Sequence, residues 1–403
     1  MSQVLYDVTH TSHTNANTGI QRVIRRLHRH WPKNKEPSLL PVVHDKYAHA
    51  WRRMDADETD NLMFTADKSV GERRGASWSL SQRIRGRVSR VFPKKKYYHL
   101  SKASGFICGE LFLDECRLKA FSQLKTELPV TGPRVAIFHD MIAVQSPELA
   151  PRATVAKYHT YLERLLSFDI IASVSDYSRD CLVSYWKSKS IAQIPQITTI
   201  PLGVDEVAGA TSLELPYDKT PMILSVGTLE GRKNHVALLE ACELLWTKGL
   251  HFRLRLIGML NKETGVAAME KIQLLKAKNR QIEWYFNASD EFLKKSYKEC
   301  IFTVYPSLCE GFGLPVLESL AHGRACVCSG LTAMAEVAAG GGCVLTGEPN
   351  SDNIARGIES LLVDQNMNAS LSTAAMSRNI RTWDDYALDL HALLANGMPG
   401  GVI

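Results

Sequence analysis

Short apolar runs alternate with longer stretches of helical periodicity along the chain, most regularly in its second half. There the pattern predicts strands at 222–226, 252–257, 282–286, 300–304 and 325–328. Helices are predicted between them at 235–248, 263–278 and 289–299, and another begins at Pro315. Apolar strands separated by amphipathic helices are typical of a parallel sheet covered on both faces.

The first half follows the same pattern less regularly, with strands predicted at 4–8, 134–138, 169–174 and 197–200. Its clearest predicted helices span 19–31 and 152–167, and another opens at Ser175. A chain of 403 residues exceeds one ordinary core, so two domains are expected. We therefore predict an α/β protein with two Rossmann-like, doubly wound domains, over 1–205 and 220–403, which face a central cleft and are joined by a linker at 206–219.

The net charge of +6 comes from one segment. Residues 73–102 hold ten Lys and Arg and no acidic residue, so the rest of the chain carries 38 basic residues against 42 acidic ones. Within this insertion, apolar residues recur at helical spacing between arginines, at Ile84, Val88, Val91 and Phe92. A basic helix with an apolar stripe suits an anionic membrane surface, although such a stripe could equally pack on the domain. Nucleic acid is disfavoured because the aromatic residues form no stacking pattern.

Two other features concern the compartment. No run of about eighteen apolar residues is present, and the first residues lack the marks of a secretory signal. The nine cysteines are odd in number and scattered, which is typical of reduced core thiols. We therefore expect a cytoplasmic protein.

No metal site is predicted. Asp55 and Asp57 could form a metal-holding Asp-x-Asp pair, but the residues before them do not read as a strand, so we interpret the pair as a solvated loop in an irregular segment over 45–102. Cys326 and Cys328 are the one close cysteine pair. We expect them on opposite faces of a strand, and no other His or Cys lies near them in sequence.

The strongest functional signal lies at 305–318. An apolar run leads into a loop with Gly311 and Gly313, after which a helix begins. Unpaired N–H groups and the helix dipole make such a helix start a favourable anion site. Glu310 and Glu318 can both face a ligand held there, which suits a nucleotide sugar. Alternatively, Glu318 only complements the helix dipole and Glu310 is solvated.

The spacing of Glu310 and Glu318, with Gly-Phe-Gly-Leu-Pro between them, resembles the signature of the retaining nucleotide-sugar glycosyltransferases of family 4, which have the GT-B fold. The resemblance extends over nearly the whole chain and is strongest over 222–340. It implies that the helix containing Trp383 can cross back onto the first domain. The implied donor contacts in the motif are the ribose on Glu318, the sugar on Glu310, Gly311 and Phe312, and the diphosphate on Gly313 and Leu314.

Two further loops fit this resemblance. Arg232 and Lys233 follow the strand at 222–226 and coincide with the phosphate clamp of the family, since a planar guanidinium and a point charge both suit a diphosphate. Gly19 begins the first long helix, where the family has a glycine-bearing loop that touches donor phosphate or acceptor. Arg22, one turn later, is assigned to the acceptor side. An ordinary helix start would give the same local pattern.

His139 and Asp140 follow the predicted strand at 134–138. Ligands of open parallel sheets lie beyond the carboxyl ends of the strands, so this pair is well placed. The pair matches what the family shows beside the donor sugar. His139 is therefore a candidate catalytic residue together with Glu310, and Asp140 is a candidate acceptor-side residue, although a lone histidine is more often structural.

The resemblance implies a retaining glycosyltransferase that needs no metal and no cofactor. Its donor would be a nucleotide diphosphate sugar, with GDP-mannose as the first candidate. Its acceptor would be a lipid-linked saccharide of bacterial polysaccharide or lipopolysaccharide assembly, met by a peripheral protein at the inner face of the cytoplasmic membrane. Two alternatives remain open: a nucleotide-sugar epimerase of the same fold, and a non-catalytic nucleotide-sugar-binding protein.

Overall fold

The computed structural model describes residues 2–64, 76–91, 103–123, 130–206, 220–286 and 288–396. Most of the predicted linker, over 207–219, lies outside the described residues. The same holds for 73–75 and 92–102 of the basic segment, including its lysine run. The described residues form two α/β units, each built on one sheet.

The first sheet has seven strands in the order β3-β2-β1-β4-β5-β6-β7. All neighbours pair in parallel except β3, which runs antiparallel to β2 at the edge. The strands are β1 (Gln3–Asp7), β2 (Ser38–Asp45), β3 (Ala50–Arg53), β4 (Gly105–Cys108), β5 (Arg134–Phe138), β6 (Ile170–Ser173) and β7 (Gln196–Thr199). The helices are α1 (Gly19–His30), α2 (Ala56–Leu62), α3 (Leu80–Val91), α4 (Glu115–Gln123), α5 (Ile142–Gln145), α6 (Arg152–Leu165) and α7 (Asp176–Ser188).

The second sheet has six strands, all parallel, in the order β10-β9-β8-β11-β12-β13. Its strands are β8 (Met222–Val226), β9 (Arg253–Ile257), β10 (Ile282–Tyr285), β11 (Phe302–Tyr305), β12 (Cys326–Cys328) and β13 (Cys343–Leu345). The remaining helices are α8 (His235–Thr247), α9 (Val266–Ala277), α10 (Asp290–Glu299), α11 (Leu314–Ala321), α12 (Ala333–Ala338), α13 (Ser351–Val363), α14 (Gln365–Met376) and α15 (Trp383–Asn396). This is the doubly wound order of a Rossmann fold, so the predicted fold class is confirmed.

The direction of winding reverses between β1 and β4 in the first sheet and between β8 and β11 in the second. Loops at such a switch point diverge to opposite faces and leave a crevice where ligands bind. The loops after β8 and β11 are those that carry Arg232, Lys233 and Glu310. The topology alone therefore brings these three residues to one crevice.

The C-terminal helix α15 packs against α1 of the first unit. Tyr386 and Leu390 belong to the same buried apolar cluster as Val23 and Leu27. At the start of this crossing, Val204 forms a parallel bridge with Thr382. The apolar contact between α1 and α15 therefore joins the two units.

In the segment over 45–102, the described residues are not irregular, contrary to the sequence-based prediction. Residues 51–53 belong to strand β3. Arg52 on this strand does not face solvent, because it is buried in an ion pair with Asp45, 2.8 Å away. Asp55 does not lie in a solvated loop. Its side chain accepts the Glu58 N–H at 3.0 Å and caps α2, while its own N–H donates to the Glu58 carboxylate at 2.8 Å.

Helix α3 turns its apolar stripe outward. Ile84, Val88 and Val91 are 52%, 53% and 71% exposed, so the alternative that the stripe packs on the domain is wrong for these three residues, while Phe92 lies outside the described residues. The inward face is small and polar instead. A Cβ added at Gly86 would lie 2.7 Å from the Tyr47 Cβ, and Gln82 donates to Asp55 at 3.2 Å. Among the helices of the described ranges, none is both long and apolar enough to cross a bilayer.

Cys326 and Cys328 lie on the same face of β12, contrary to our expectation, because residues two apart on a strand share a face. The neighbouring strand β13 adds Cys343 in register with Cys326. The thiol sulfurs of all three lie within 4.8 Å of one another.

Candidate active site

Glu310 lies between two cations that follow β8. Residues 231–233 form a single turn of 3₁₀ helix, which directs both basic side chains to the loop after β11. Arg232 Nη1 lies 2.6 Å from Glu310 Oε2, and Lys233 Nζ pairs with Glu310 Oε1. Arg232 also contacts Glu230, 2.7 Å away. Glu310 is only 8% exposed, so it is not a solvated carboxylate.

The charges of this cluster are strongly coupled. Burial alone would raise the pKa of Glu310, but Arg232 and Lys233 outweigh it and lower the pKa to about 2. Burial of Arg232 is similarly outweighed by Glu310, Glu230 and Asp140, which raise the pKa of its guanidinium. The site therefore holds two cations that two glutamates balance, and an incoming anion would compete with those glutamates.

Acid should destabilise the protein through Glu310 and Glu58. Burial raises the pKa of Glu58, but hydrogen bonds from Arg52 and His13 lower it to about 2. Both carboxylates have depressed pKa values, so they stabilise the fold above their unfolded pKa of about 4.3 and lose that contribution as the pH falls toward 2. We expect each to remove roughly 3 kcal/mol from the free energy of unfolding over this range.

Urea unfolding between pH 5 and about pH 2.5 would measure this slope, and Glu58→Gln removes one of the two carboxylates. The variant should show a shallower acid slope than the native chain. Equal slopes would contradict the assignment.

Gly311 is the point where the second unit meets the first. Its carbonyl accepts the hydroxyls of Ser175 at 2.6 Å and Ser178 at 3.1 Å. The Ser178 hydroxyl also lies 3.1 Å from the His139 carbonyl. A Cβ on Gly311 would lie 2.8 Å from the Asp140 Cβ and closer still to the His139 carbonyl oxygen. Only glycine allows the motif loop to contact the end of β5 in this way.

His139 is held in one tautomer. Its Nε2 lies 2.8 Å from the Gly109 carbonyl oxygen, which can only accept, so Nε2 carries the proton. Burial lowers the pKa of the imidazole, which is therefore neutral near pH 7. Nδ1 is left as an acceptor. Asp140 is positioned by the Ile142 N–H, which donates to Oδ1 at 3.0 Å.

Glu318 lies in the second turn of α11 and is 8% exposed. The guanidinium of Arg22 reaches across from α1 and pairs with its Oε1. The Tyr297 hydroxyl lies 3.4 Å from Oε2 and 3.1 Å from the Tyr305 hydroxyl. The structure therefore brings Arg22, which the sequence assigned to the acceptor side, against the carboxylate assigned to the donor ribose.

The remaining predicted residues differ in what they offer a ligand. Phe312 and Leu314 are 9% and 8% exposed, and their side chains belong to the apolar cluster around α11. Gly313 has a φ of 104° before α11, a left-handed conformation that favours glycine. Gly19 is exposed, and a Cβ there would meet nothing within 4 Å. Packing therefore does not require glycine at position 19.

Sequence reasoning missed residues that hold this site in place. Glu336 of α12 accepts the main-chain N–H groups of Asp176 at 3.1 Å and Tyr177 at 2.6 Å, and so caps α7 of the other unit. Thr332 accepts the Glu310 N–H at 3.1 Å. In the sequence, Ser175 and Ser178 signalled only a helix start, because their second contact, with Gly311, is long-range.

Comparison with known families shows what the residues around this crevice are similar to. Residues 213–378 match the family described as glycosyl transferases group 1. These residues form a group 1 glycosyl transferase domain. The domain includes the Arg232–Lys233 turn and the whole motif at 305–318, and it confirms the glycosyltransferase resemblance stated from the sequence.

Curated relatives point the same way over longer stretches. The serotype-specific mannosyltransferase WbdA of Escherichia coli is 24% identical over 339 residues, which cover 79% of this chain and 37% of that protein. The O-antigen chain mannosyltransferase B of Escherichia coli is 31% identical over 204 residues, or 48% of this chain and 52% of that protein. The chain thus spans about half or less of the length of these relatives.

Solved structures support the fold. A sucrose-phosphate synthase from Thermosynechococcus elongatus covers 98% of this chain with a TM-score of 0.62 and 16% identity. HepE from Anabaena, determined with UDP and glucose, covers 98% with a TM-score of 0.67 and 14% identity. At such identities the likeness concerns the GT-B architecture alone.

Proposed function

We propose that this chain is a retaining glycosyltransferase that moves a sugar from a nucleotide diphosphate sugar to a hydroxyl of a lipid-linked saccharide. The observation that carries the proposal is the meeting of Arg232, Lys233 and Glu310 beside the start of α11, at the switch point of the second sheet. GDP-mannose is the first candidate donor, which the mannosyltransferase names of the two Escherichia coli relatives support.

In the proposed reaction, the bond between the anomeric carbon and the diphosphate oxygen breaks, and a bond to the acceptor oxygen forms on the same face. Negative charge develops on the leaving diphosphate. Arg232, Lys233 and the main-chain N–H groups at the start of α11 are placed to stabilise that charge without a metal ion. The acceptor proton passes to the departing phosphate oxygen, which balances the step.

Glu310 accepts from a sugar hydroxyl and does not act as a covalent nucleophile. Its two oxygens already contact Arg232 and Lys233, and a group bonded to a peripheral hydroxyl cannot also lie beneath the anomeric carbon. His139 presents Nδ1 as an acceptor for a hydroxyl of the sugar or the acceptor. Glu318 accepts from the ribose hydroxyls once Arg22 yields part of its contact.

A nucleotide screen tests the donor half of this proposal. Calorimetry of GDP, UDP, dTDP and their sugar conjugates, without added metal, should show selective binding of one nucleotide. We expect Arg232→Ala to weaken it by on the order of 10²-fold, because a charged contact to phosphate is lost. Glu318→Ala should weaken the binding of nucleotides that have an intact ribose, but it should leave the binding of inorganic diphosphate unchanged.

The catalytic half is tested with acceptor. Product formed only when a saccharide acceptor is added supports transfer, whereas a changed sugar nucleotide released without acceptor would indicate an epimerase. Binding without any turnover in the presence of acceptors would indicate a non-catalytic binding protein. Binding of no nucleotide would contradict the proposal outright.

The outward face of α3 supports peripheral attachment to the inner face of the cytoplasmic membrane. Ile84 and Val88 lie one turn apart and more than half exposed. Arg83 and Arg87 flank them on the same solvent-facing side. An apolar stripe bordered by cations matches an anionic bilayer surface, where a lipid-linked acceptor would be met.

Replacing Ile84 and Val88 together by serine should reduce binding to vesicles containing phosphatidylglycerol by about 30- to 150-fold. The estimate reflects roughly 1 to 1.5 kcal/mol for each apolar side chain that leaves the bilayer interface. Vesicle co-sedimentation measures it. Leu274→Ser is the matched control, since Leu274 is 62% exposed on α9 of the other unit. Equal loss in both proteins, or none in the double variant, would contradict attachment through α3.

A further inference from the structure

Three thiols gather beneath the motif loop. Cys326 and Cys343 are partners across the parallel β12–β13 pair, and Cys328 lies two residues along the same face. Their sulfurs all lie within 4.8 Å of one another. Cys326 and Cys328 are buried, while Cys343 is partly exposed on β13, the edge strand of the sheet. An ion could therefore reach the cluster from the sheet edge.

The surroundings combine apolar walls with one cation. The three cysteines belong to the apolar cluster that packs β12 and β13 against α11 and α12, together with Leu317 and Met334. Arg378 lies beside them, donating to the Gly341 carbonyl at 3.1 Å. Its positive charge acts on Cys343. A thiolate formed here therefore has a compensating charge close by.

We propose that Cys326, Cys328 and Cys343 form a site for one soft metal ion with three sulfur ligands, for which Cu(I) is the best chemical match. Thiolate sulfur selects Cu(I), zinc and iron–sulfur clusters. Structural zinc requires four ligands in a tetrahedron, and the cluster has only three among the residues that the structure describes. Cu(I) accepts three thiolate ligands, and Arg378 lies beside the anionic site that results.

The site would affect the motif loop directly. Cys328 is in register with Tyr305, the last residue of β11 before that loop. Four residues after Cys328, Thr332 holds the Glu310 N–H. A metal that draws the three sulfurs together therefore fixes the end of β12, from which the chain runs to the contact that positions Glu310.

The test is an anaerobic titration of the reduced full-length chain with Cu(I) held by bicinchoninate. One Cu(I) per chain should be withdrawn from the chelator, and X-ray absorption should report three sulfur neighbours. Cys343→Ala, the least buried of the three changes, should weaken binding by at least about 100-fold, as should Cys326→Ala. Cys242→Ala is the control, because Cys242 is as buried as Cys326 but lies in α8, outside the cluster.

Thermal unfolding gives a second readout that does not depend on activity. Cu(I) should raise the melting temperature of the native chain and of Cys242→Ala, because an ion that binds only the folded state stabilises it. It should not raise that of Cys343→Ala. Unchanged Cu(I) affinity in Cys343→Ala, or a disulfide formed within the cluster in place of metal binding, would overturn the proposal.

Discussion

Replacing Gly311 by alanine should lower kcat/KM for sugar transfer by on the order of 10²-fold or more, with little change in the fold of either unit. The added Cβ would overlap the His139 carbonyl and approach the Asp140 Cβ, so the motif loop must move away from the end of β5. The main chain at His139 cannot move aside for this Cβ as a flexible side chain could. A displacement of about 1 Å between reacting groups is enough for a loss of this size.

The effect should fall on catalysis more than on nucleotide binding. Arg232 and Lys233 lie on the same unit as Gly311, so the diphosphate contacts survive, whereas His139 and Asp140 belong to the other unit. Steady-state kinetics with donor and acceptor, beside calorimetry with the nucleotide alone, separate the two. Gly347→Ala is the matched control: its φ of 66° makes alanine strained there, but a Cβ would meet nothing within 4 Å. If both variants lost activity equally, the contact between units would not be the cause.

The elements that the sequence predicted best are continuous apolar runs. Strands β5 and β8 have the predicted bounds, since four apolar residues of five in each strand leave little choice of register. Strands β2 and β4 were not predicted from the sequence. Pro41 lies within β2, where proline normally disfavours a strand, and β4 has only four residues and starts with Gly105. Tertiary pairing with β1 decides both.

Some features of the candidate site could likewise be predicted from the sequence, and others could not. Loops that follow strands of a doubly wound sheet converge for topological reasons, so Arg232 and Glu310 could be grouped from the sequence once the strands were assigned. The ion-pair partner of each charged side chain could not be predicted from the sequence. Arg22 and Glu318 are 296 residues apart, and nothing local in either segment indicates their ion pair. The contact between Cys343 and Cys326 was not predicted for the same reason, because it depends on which strand lies at the edge of the sheet.

Glu310→Gln should separate the observed ion pairs of this carboxylate from its proposed contact with the sugar. As the anion between Arg232 and Lys233, Glu310 competes with the donor diphosphate, so removing its charge should tighten binding of a free nucleoside diphosphate by up to about 10-fold. As the proposed acceptor of a sugar hydroxyl, it should stabilise the transition state. Its loss should then lower kcat by about 10² to 10³-fold. Binding and turnover are therefore expected to change in opposite directions.

Glu230→Gln provides the comparison that makes this result decisive. Glu230 also pairs with Arg232, at 2.7 Å, but lies before the 3₁₀ turn and not in the motif loop. This change should tighten nucleoside diphosphate binding similarly while lowering kcat by less than about fivefold, because the sugar contact is intact. If Glu310→Gln instead weakened diphosphate binding in step with kcat, Glu310 would act by positioning Arg232 and Lys233. The sugar contact would then have to be assigned to another residue of the crevice.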